Sequence, residues 1–385
     1  MSDFDTIVVG AGIVGSWTAY HLAVSGKRTL LVDQFPLPHT RGSSHACTRT
    51  FKMTGHADVE LMKDAYKMWL QLDEDLGPNL IHKTGRLTFS DDTATFLERW
   101  SVELHKHNIP HELLNSRQIH NKFPEISYPG HKAIFEHNGS VLMAHKCLNA
   151  VQERFKKAGG QIVDGTKVTG LEHQGANMVK ISCQQEGRTA IFTSSNVVIT
   201  VGAWASLLIP ELKHLLKPLA TAHIFWRTLK PGAYSAASGF PVISQTPERG
   251  CYGIPALEYP DCMKIGTMHG IECHPDKRDV HDLSTIIEPV SAYVKEHYPL
   301  LDHTKPAIVE KCLFTYTPDM EPILDRHPSQ PNVIIGAGFS AEGFMSSPAT
   351  GRLLASWAGA GNVQDLKYKT SLYLLKRFNK GKGKL

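Results

Sequence analysis

Residues 5–33 read DTIVVGAGIVGSWTAYHLAVSGKRTLLVD, and this stretch decides the fold. A β-branched run leads directly into a glycine-rich turn, after which the pattern changes to that of a helix. Gly10 permits a tight turn, Gly12 lets backbone N–H groups approach a pyrophosphate, and Gly15 lets the helix pack closely on the strand. The stretch therefore predicts a βαβ unit that binds the ADP part of a dinucleotide.

The nucleotide type follows from Asp33, at the end of the second predicted strand. A carboxylate there can accept hydrogen bonds from both ribose hydroxyls of an unphosphorylated nucleotide, so FAD or NAD is favoured over NADP. The phosphates are expected at the positive end of the helix, near Ile13 and Val14. A purely structural glycine turn is the alternative, but strand, turn, helix, strand and acid all occur in the order that a nucleotide site needs.

The composition is that of an ordinary globular protein. Of the 385 residues, 42% are hydrophobic and 20% are charged, and a net charge of +4 indicates no polyanionic partner, so nucleic-acid binding is not expected. No apolar stretch reaches the roughly 18 residues that a membrane span needs, and no signal-peptide pattern precedes the first strand. Because the chain exceeds the usual size of one core, two interleaved domains are expected.

Hydrophobic periodicity gives the organisation along the chain. Helices are predicted over residues 58–76, around 148–155 and over 349–358, and strands over 85–90, 161–171, 178–183, 190–192, 196–206 and 333–338. Residues 215–310 contain many short β-like pieces, which predict an antiparallel sheet. We expect a nucleotide-binding domain of residues 1–82, 146–213 and 310–385, and a second domain of residues 83–145 and 214–309. The predicted fold class is α/β with α+β insertions.

Several further blocks carry a family resemblance. They are TIVVGAGIVGSWTAYHLA with LLVDQF, PHTRGSSHACTR, KTGRLTF, VGAWAS, YGIP followed by MKIG, EKCLFTYTPDMEPILDRHP and GAGFSAEGF. Together they make the chain resemble the monomeric sarcosine oxidase family, which includes N-methyltryptophan oxidase and pipecolate oxidase. The resemblance implies a Rossmann-like FAD-binding domain interleaved with an antiparallel-sheet substrate domain, FAD as the cofactor, and dioxygen as the electron acceptor.

The resemblance and the glycine motif together assign the cofactor contacts. The expected contacts are Gly10, Gly12, Ile13, Val14, Gly15, Asp33, Gln34, Ser43, Ser44, Thr48, Arg49, Val168, Gly202, Trp204, Cys312, Gly338, Phe339, Gly343, Phe344 and Met345. Cys312 falls where the family attaches its flavin through a thioether, which needs a thiolate and hence a local field that favours the anion. The alternative for Cys312 is a small buried thiol.

The same resemblance assigns candidate catalytic residues. Lys264 matches a lysine over the flavin, whose ammonium stabilises the anion formed when O₂ takes an electron; the alternative is a solvated surface lysine. Tyr252 matches an aromatic that lines the substrate site, with ordinary sheet packing nearly as well supported. Arg49 matches a basic residue beside the flavin, and His45 lies in the same loop, where a histidine is often simply exposed.

The chain also departs from the family pattern in the region expected to hold a substrate carboxylate. Lys52 replaces an arginine, and Met345 replaces a lysine and cannot pair with a carboxylate. Met268 stands where histidine is usual, although His269 is adjacent, and Phe314 replaces an aromatic with a hydroxyl. A simple sarcosine-like zwitterion is therefore expected to bind poorly unless Arg49 and Lys52 suffice to hold its carboxylate. Otherwise the substrate is expected to be larger, more apolar, or not an amino acid.

The resulting expectation is an FAD-dependent oxidase of a secondary or N-alkylated amine that is sarcosine-, N-methyl amino acid- or pipecolate-like, with an altered site for the substrate carboxylate. Hydride passes from the neutral amine to the flavin, O₂ is reduced to hydrogen peroxide, and the imine hydrolyses. Two alternatives remain: a dehydrogenase or demethylase with another electron acceptor, and a flavoprotein without turnover. A metal site at Cys273, His274 and His281 is disfavoured by Pro275 and the lack of a fourth ligand.

The expected partners are a small amine and O₂, without nucleic acid or membrane, and the chain is expected to be a monomer. Gly383, Lys384 and Leu385 resemble the peroxisomal signal S-K-L, with a basic solvated tail as the alternative. A cytoplasmic or peroxisomal location is therefore expected.

Overall fold

A computed structural model of the chain describes residues 2–77, 79–90, 95–174, 178–245 and 250–381. Its α-helices are α1 (Ile13–Val24), α2 (Val59–Leu76), α3 (Thr95–Lys106), α4 (Ser116–Lys122), α5 (Ala144–Lys157), α6 (Ala205–Leu208), α7 (Ser284–His297) and α8 (Gly343–Trp357). Its strands are β1 (Phe4–Val9), β2 (Thr29–Val32), β3 (Thr48–Phe51), β4 (Ile81–Lys83), β5 (Arg86–Ser90), β6 (His111–Leu114), β7 (Lys132–Glu136), β8 (Ser140–Met143), β9 (Gln161–Val163), β10 (Thr166–His173), β11 (Val179–Gln185), β12 (Arg188–Ile199), β13 (Lys217–Arg227), β14 (Val242–Gln245), β15 (Cys251–Tyr259), β16 (Cys262–Thr267), β17 (Ile271–Glu272), β18 (Ile308–Tyr316), β19 (Ile323–His327) and β20 (Gln330–Ala337).

The first sheet is built around the opening βαβ unit. Strands β9, β2, β1, β12 and β20 lie side by side and run parallel, while β10, β11 and the first half of β12 form an antiparallel extension. Helix α1 joins β1 to β2. The three apolar residues Ile7, Val8 and Val9 of β1 are buried, as expected for a parallel strand covered on both faces. This arrangement confirms the predicted α/β fold class with a Rossmann-like nucleotide-binding sheet.

Helices α1, α2, α5 and α8 share one hydrophobic core. The approach of α8 to α1 depends on Gly351, because a Cβ atom there would lie 2.7 Å from Cβ of Trp17 and 2.8 Å from the backbone nitrogen of Thr18. Helices α1 and α8 are therefore neighbours, and residues at the N-terminal end of each helix line the cavity described below.

The second sheet has two chemically different faces. Its strands follow the order β17, β13, β16, β15, β14, β5, β7, β6, with β18 paired to β13, and all these pairs are antiparallel except β14 with β5. Alternate residues of β13, such as Ile224 and Trp226, enter a core shared with Val290 and Val294 of α7. The residues between them point to the other face. A third, smaller sheet has the order β3, β8, β4.

Three predicted elements differ from the structure. The predicted strand 190–192 and the first four residues of the predicted strand 196–206 belong to one strand, β12, whose polar first half lies in the antiparallel extension and so lacks a continuous apolar pattern. Strand β12 ends at Ile199, and residues 202–206 are helical rather than extended, in a short 3₁₀ turn followed by α6. Helix α8 begins at residue 343 rather than 349, because Pro348 is accommodated inside the helix rather than at its start. Helix α7 lies in the segment predicted to be entirely β, and it too contains a proline.

The predicted domain boundary at residue 310 falls inside β18, which pairs with β13 of the second sheet from residue 308 to 316. The division into two domains otherwise stays a prediction. None of the helices in the described ranges has the length and apolar character needed to cross a bilayer. The tripeptide 383–385 lies outside the described residues.

Candidate functional site

A cavity of about 1010 Å³ runs between the first and second sheets. One end, the nucleotide end, is formed by the β1–α1 turn with Asp33. The other, the sheet end, is formed by β18, the loop before β3, and the turn before α8, and includes Arg49, Phe314 and Phe344. Ligand sites of drug size have roughly 300–1,000 Å³, so this cavity can accept a group as large as a dinucleotide.

The nucleotide end has the geometry that the glycine motif predicts. Gly10 has φ of 101°, and a Cβ atom there would lie 2.5 Å from the carbonyl oxygen of Thr200. An added Cβ at Gly15 would overlap the carbonyl oxygen of Gly10, so α1 can approach the turn only with glycine at this position. The first turn of α1 contains no acidic residue, which leaves its positive end available to an anion.

Asp33 is 7% exposed and borders this end of the cavity. Its Oδ2 accepts a hydrogen bond from the backbone N–H of Ala11 (2.7 Å), and its Oδ1 accepts one from Phe35 (2.9 Å). Each carboxylate oxygen has a second lone pair, so acceptance from ribose hydroxyls remains possible. Because the N–H of Ala11 belongs to the glycine turn, its hydrogen bond to Asp33 also holds that turn in place.

Most of the predicted cofactor residues meet at this one cavity. Those that line it are Gly10, Gly12, Ile13, Val14, Asp33, Gln34, Ser43, Ser44, Arg49, Val168, Gly202, Trp204, Gly338, Phe339, Gly343 and Phe344. Gly15, Thr48, Cys312 and Met345 do not line it. Sequence reasoning also missed lining residues such as Arg278 and Lys311, which belong to segments without a recognisable nucleotide motif.

Arg49 and His45 are the predicted catalytic residues that line the cavity. Both terminal nitrogens of the Arg49 guanidinium donate to backbone carbonyls, to Thr48 (2.8 Å) and to Ser43 and His45 (2.7 Å each). The guanidinium carbon lies 5.9 Å from the ring centroid of Phe344. Burial, and then the charge of Arg49, lower the pKa of His45 to about 4, so this imidazole is neutral at pH 7.

Lys264 lies on the face of the second sheet that is turned away from the apolar core. It pairs with Phe225 in the sheet, and its ammonium lies 5.0 Å from the centroid of that ring. Its side chain is 2% exposed and forms an ion pair with Glu258, which is 3% exposed. The ammonium also donates to Oγ1 of Thr48 (2.8 Å), and the Thr48 hydroxyl donates to Glu258.

This ion pair shows that Lys264 is not a surface lysine. Burial lowers the pKa of Lys264, and the nearby carboxylate of Glu258 opposes that effect. Glu258 was not identified from the sequence, because a single acid near a strand end has no motif. The signal that could have found it is the need of a buried lysine for a counter-charge within the same hairpin.

Cys312 shares the face of Lys264. It pairs with Thr221 in β13, and Thr221, His223 and Phe225 alternate with the apolar residues of that strand. The thiol is fully buried, and burial raises its pKa, although Arg49 acts in the opposite direction. A local field that favours the thiolate was expected at Cys312. In the protein without a cofactor, the effect of burial on the pKa is larger than the effect of the nearby positive charges.

Tyr252 belongs to the same face through its pairing with Gly266 on β16. A Cβ atom at Gly266 would lie 2.9 Å from the Tyr252 hydroxyl, so the ring lies over the glycine. Burial raises the pKa of this phenol, which keeps it protonated. His223 was missed by sequence reasoning: it is 3% exposed, lies 6.2 Å from His45 between ring centroids, and neither ring nitrogen has a hydrogen-bond partner among the described residues.

The residues expected to hold a substrate carboxylate are arranged differently. Lys52 does not line the cavity; its ammonium contacts Oε1 of Glu342 (2.7 Å), while Nε2 of His56 lies 3.0 Å from Oε2. Met345 is 4% exposed, and its carbonyl accepts from the indole of Trp69.

His269 also lies outside the cavity lining, with its ring beside Gly250. The carbonyl of Met268 accepts from the Tyr316 hydroxyl, and the ring of Tyr316 stacks on cavity-lining Phe314 at 5.9 Å. Whether His269 takes the place that the family gives to histidine stays a prediction. Within the described ranges, no group of three or more His, Cys, Asp or Glu side chains could hold a metal ion.

Comparisons with known proteins agree with this geometry. Peroxisomal sarcosine oxidase from Homo sapiens is 36% identical over 363 residues, covering 91% of each chain. Monomeric sarcosine oxidase from Bacillus sp. (strain B-0618) is 31% identical and covers 94% of this chain and 93% of its own. The crystal structure of L-proline dehydrogenase from P. horikoshii shares the fold, with a TM-score of 0.81, 21% identity and 98% of each chain covered.

The family description FAD dependent oxidoreductase matches residues 5–357. That span includes the glycine turn, the second sheet and α8, and the nucleotide end has the glycine cradle and helix terminus that the FAD pyrophosphate needs. The chain belongs to the family of FAD-dependent oxidoreductases.

Proposed function

We propose that the chain is an oxidase of a secondary or N-alkylated amine. When bound, FAD would accept a hydride from the carbon beside the amine nitrogen and pass the electrons to O₂, giving hydrogen peroxide and an imine that hydrolyses. The observation that carries the proposal is the register of β13, β15, β16 and β18. It puts Lys264, Tyr252 and Cys312 on one face of the second sheet, directed away from its apolar core.

The chain's own residues favour an uncharged amine at the sheet end. His45 is neutral at pH 7 because its pKa is about 4, and Arg49 beside it is a cation. A second cation on the substrate would be repelled by the guanidinium, so the neutral form of the amine binds better. Tyr252 does not line the cavity, but it lies on the same face of the second sheet as Lys264, and its aromatic ring would pack against an N-alkyl group that reached this face.

Lys264 would supply positive charge where O₂ is reduced. Glu258 and Thr48 hold its ammonium in one position without a change of conformation at the moment of reaction. Replacing Lys264 with Met should slow reoxidation of the reduced enzyme about 100-fold, the scale of losing one buried electrostatic donor. Stopped-flow mixing with oxygenated buffer measures this rate, and an unchanged rate would remove Lys264 from the proposal.

We also propose that Cys312 carries the flavin covalently. Burial raises the pKa of this thiol, while the charges of Arg49 and Arg278 act in the opposite direction and would favour the thiolate that the attachment needs. Acid precipitation of the native protein should retain the yellow colour in the pellet, whereas Cys312→Ser should release it. Colour in the supernatant of both would show that the flavin is not tethered.

The overall proposal is tested by an anaerobic titration with N-methyl amino acids, cyclic imino acids and carboxylate-free amines. Loss of flavin absorbance followed by peroxide release in air is the expected result. Bleaching without peroxide in air would favour the dehydrogenase alternative, whose electron acceptor is not O₂. If no amine in the panel bleaches the flavin, the remaining alternative is a flavoprotein without turnover.

We further propose that the chain is a monomer located in the cytoplasm or the peroxisome. The large exposed apolar side chains of the described residues, such as Val24, Leu229 and Val280, come from different elements. The name of the human relative includes "peroxisomal", which favours that compartment. Light scattering tests the first proposal, and imaging of the tagged protein tests the second.

A further inference from the structure

Three basic side chains at or near the sheet end, those of Arg49, Lys264 and Lys52, already contact other groups of the same chain. Both terminal nitrogens of Arg49 donate to backbone carbonyls, so paired donation to a bound carboxylate would require breaking those bonds. The ammonium of Lys264 is paired with Glu258. The ammonium of Lys52 is paired with Glu342.

Glu342 is the least expected of these partners. It is the N-terminal cap residue of α8, and its neighbours Ala341 and Gly343 both line the cavity. One carboxylate oxygen contacts Lys52 at 2.7 Å and the other contacts His56 at 3.0 Å. Its side chain is only 28% exposed, and both of its oxygens contact a basic side chain.

The carboxylate of Glu342 remains ionised. Burial raises its pKa, but the charges of His56 and Lys52 outweigh that effect and hold the pKa well below the usual range. A second acid, Glu321, lies close enough that Glu342 helps to raise its pKa. Glu342 does not itself line the cavity, but it lies between two residues that do. An anionic substrate group that reached Lys52 would therefore meet one ionised carboxylate and a second acid, with Lys52 already paired.

We infer that Glu342 determines substrate specificity, and that the substrate is an amine without a carboxylate group. Glu342 pairs with the ammonium of Lys52, the cation that a substrate carboxylate would otherwise contact. Met345, at 4% exposure, adds an apolar side chain at the start of the same helix and no charge. The inference rests on the proposed amine oxidation, because it specifies what that site accepts.

Matched substrate pairs test this inference. Sarcosine is compared with sarcosinamide, and pipecolate with piperidine, by kcat/KM and by anaerobic flavin bleaching. We expect the native enzyme to favour the carboxylate-free member of each pair at least tenfold. Glu342→Gln should lower the KM for sarcosine relative to sarcosinamide about tenfold, because Lys52 is released, and adding Met345→Lys should extend that change.

A binding measurement without turnover separates specificity from activity. Acetate and acetamide are titrated into the oxidised holoenzyme, and perturbation of the flavin spectrum is recorded. Acetate should bind Glu342→Gln about tenfold more tightly than the native protein, with acetamide as the neutral comparison. Glu60→Gln, which removes a carboxylate paired with Lys63 on the exposed face of α2, is the matched control and should leave acetate binding as in the native protein.

The outcomes distinguish the two levels of the proposal. Failure of every amine to bleach the flavin would overturn the proposed function itself. Efficient oxidation with sarcosine preferred over sarcosinamide in the native enzyme would leave the function intact and overturn the inference. A Glu342→Gln protein with native KM ratios and native acetate binding would overturn the role of Glu342.

Discussion

At the scale of single residues, Lys264 shows how tertiary structure decides between a buried and a solvated side chain, which the sequence left open. A lysine on a strand is usually solvated, yet this ammonium lies 2% exposed among Thr48, Glu258 and Phe225. A buried charge is retained only when it is paired. The hairpin formed by β15 and β16 brings Glu258 to Lys264, a contact that no local pattern announces.

Removing one member of this pair should destabilise the protein strongly. Lys264→Met is expected to lower the free energy of unfolding by about 3–5 kcal/mol, because the Glu258 carboxylate would be left buried and unpaired. The double variant Lys264→Met with Glu258→Gln should recover most of that loss, since no charge remains. Urea denaturation measures both.

The control for this experiment is Lys63→Met, which removes one of the two basic partners of Glu60 on α2, the other being His107. An exposed pair is worth about 0–1 kcal/mol, so little change is expected. A double variant as unstable as Lys264→Met alone would show that the two charges are not coupled.

At the scale of elements, the packing of α8 on α1 positions the turn that borders the sheet end of the cavity. Gly351 allows the backbone of the two helices to come together at Trp17 and Thr18. The turn before α8, with Phe339 and Gly343, is carried by this contact. A change in helix packing is therefore expected to reach the cavity.

Gly351→Ala should destabilise the protein by about 1–3 kcal/mol, even though alanine favours helices, because the added methyl meets backbone atoms that cannot move aside. Gly170→Ala is the control, since the nearest atom to an added Cβ there is 3.9 Å away. Thermal unfolding of the two holoenzymes compares them. Equal melting temperatures would contradict the tight packing of α1 on α8.

At the scale of the whole molecule, buried histidines set the response to acid. Burial lowers the pKa of His21 to about 4, from 6.5, and burial followed by the charge of Arg49 does the same for His45. Between these values the unfolded chain binds more protons than the folded one. The free energy of unfolding should therefore fall as pH falls from about 6.5 to about 4, by about 1 kcal/mol per pH unit for each histidine.

His21→Gln tests this effect away from the cavity, because His21 contacts the carbonyl of Pro348 in α8. In the variant, the free energy of unfolding should fall less steeply between pH 6.5 and pH 4, because about one proton fewer is taken up on unfolding. Urea denaturation at pH 5 and pH 7 gives the slope. A slope equal to that of the native protein would show that His21 titrates normally in the folded state.

Local sequence was sufficient for the βαβ unit, the glycine cradle and the α/β class, because those features depend on residues close together in the chain and on turn chemistry that only glycine permits. It also gave α2 within one residue, from a regular apolar stripe capped by Asp58. Helix α7 and the start of α8 were missed because each contains a proline, and a proline in the sequence normally indicates the end or the start of a helix.

Tertiary structure alone decided the charge pairing at the sheet end. Glu258 meets Lys264 through a hairpin, and Glu342 meets Lys52 across about three quarters of the length of the chain. Electrostatic partners are selected by distance in space and by the cost of leaving a charge buried, and neither quantity is encoded in sequence spacing. The sequence therefore identified the charged residues, but only the tertiary structure showed which cations are already paired and which remain available to a substrate.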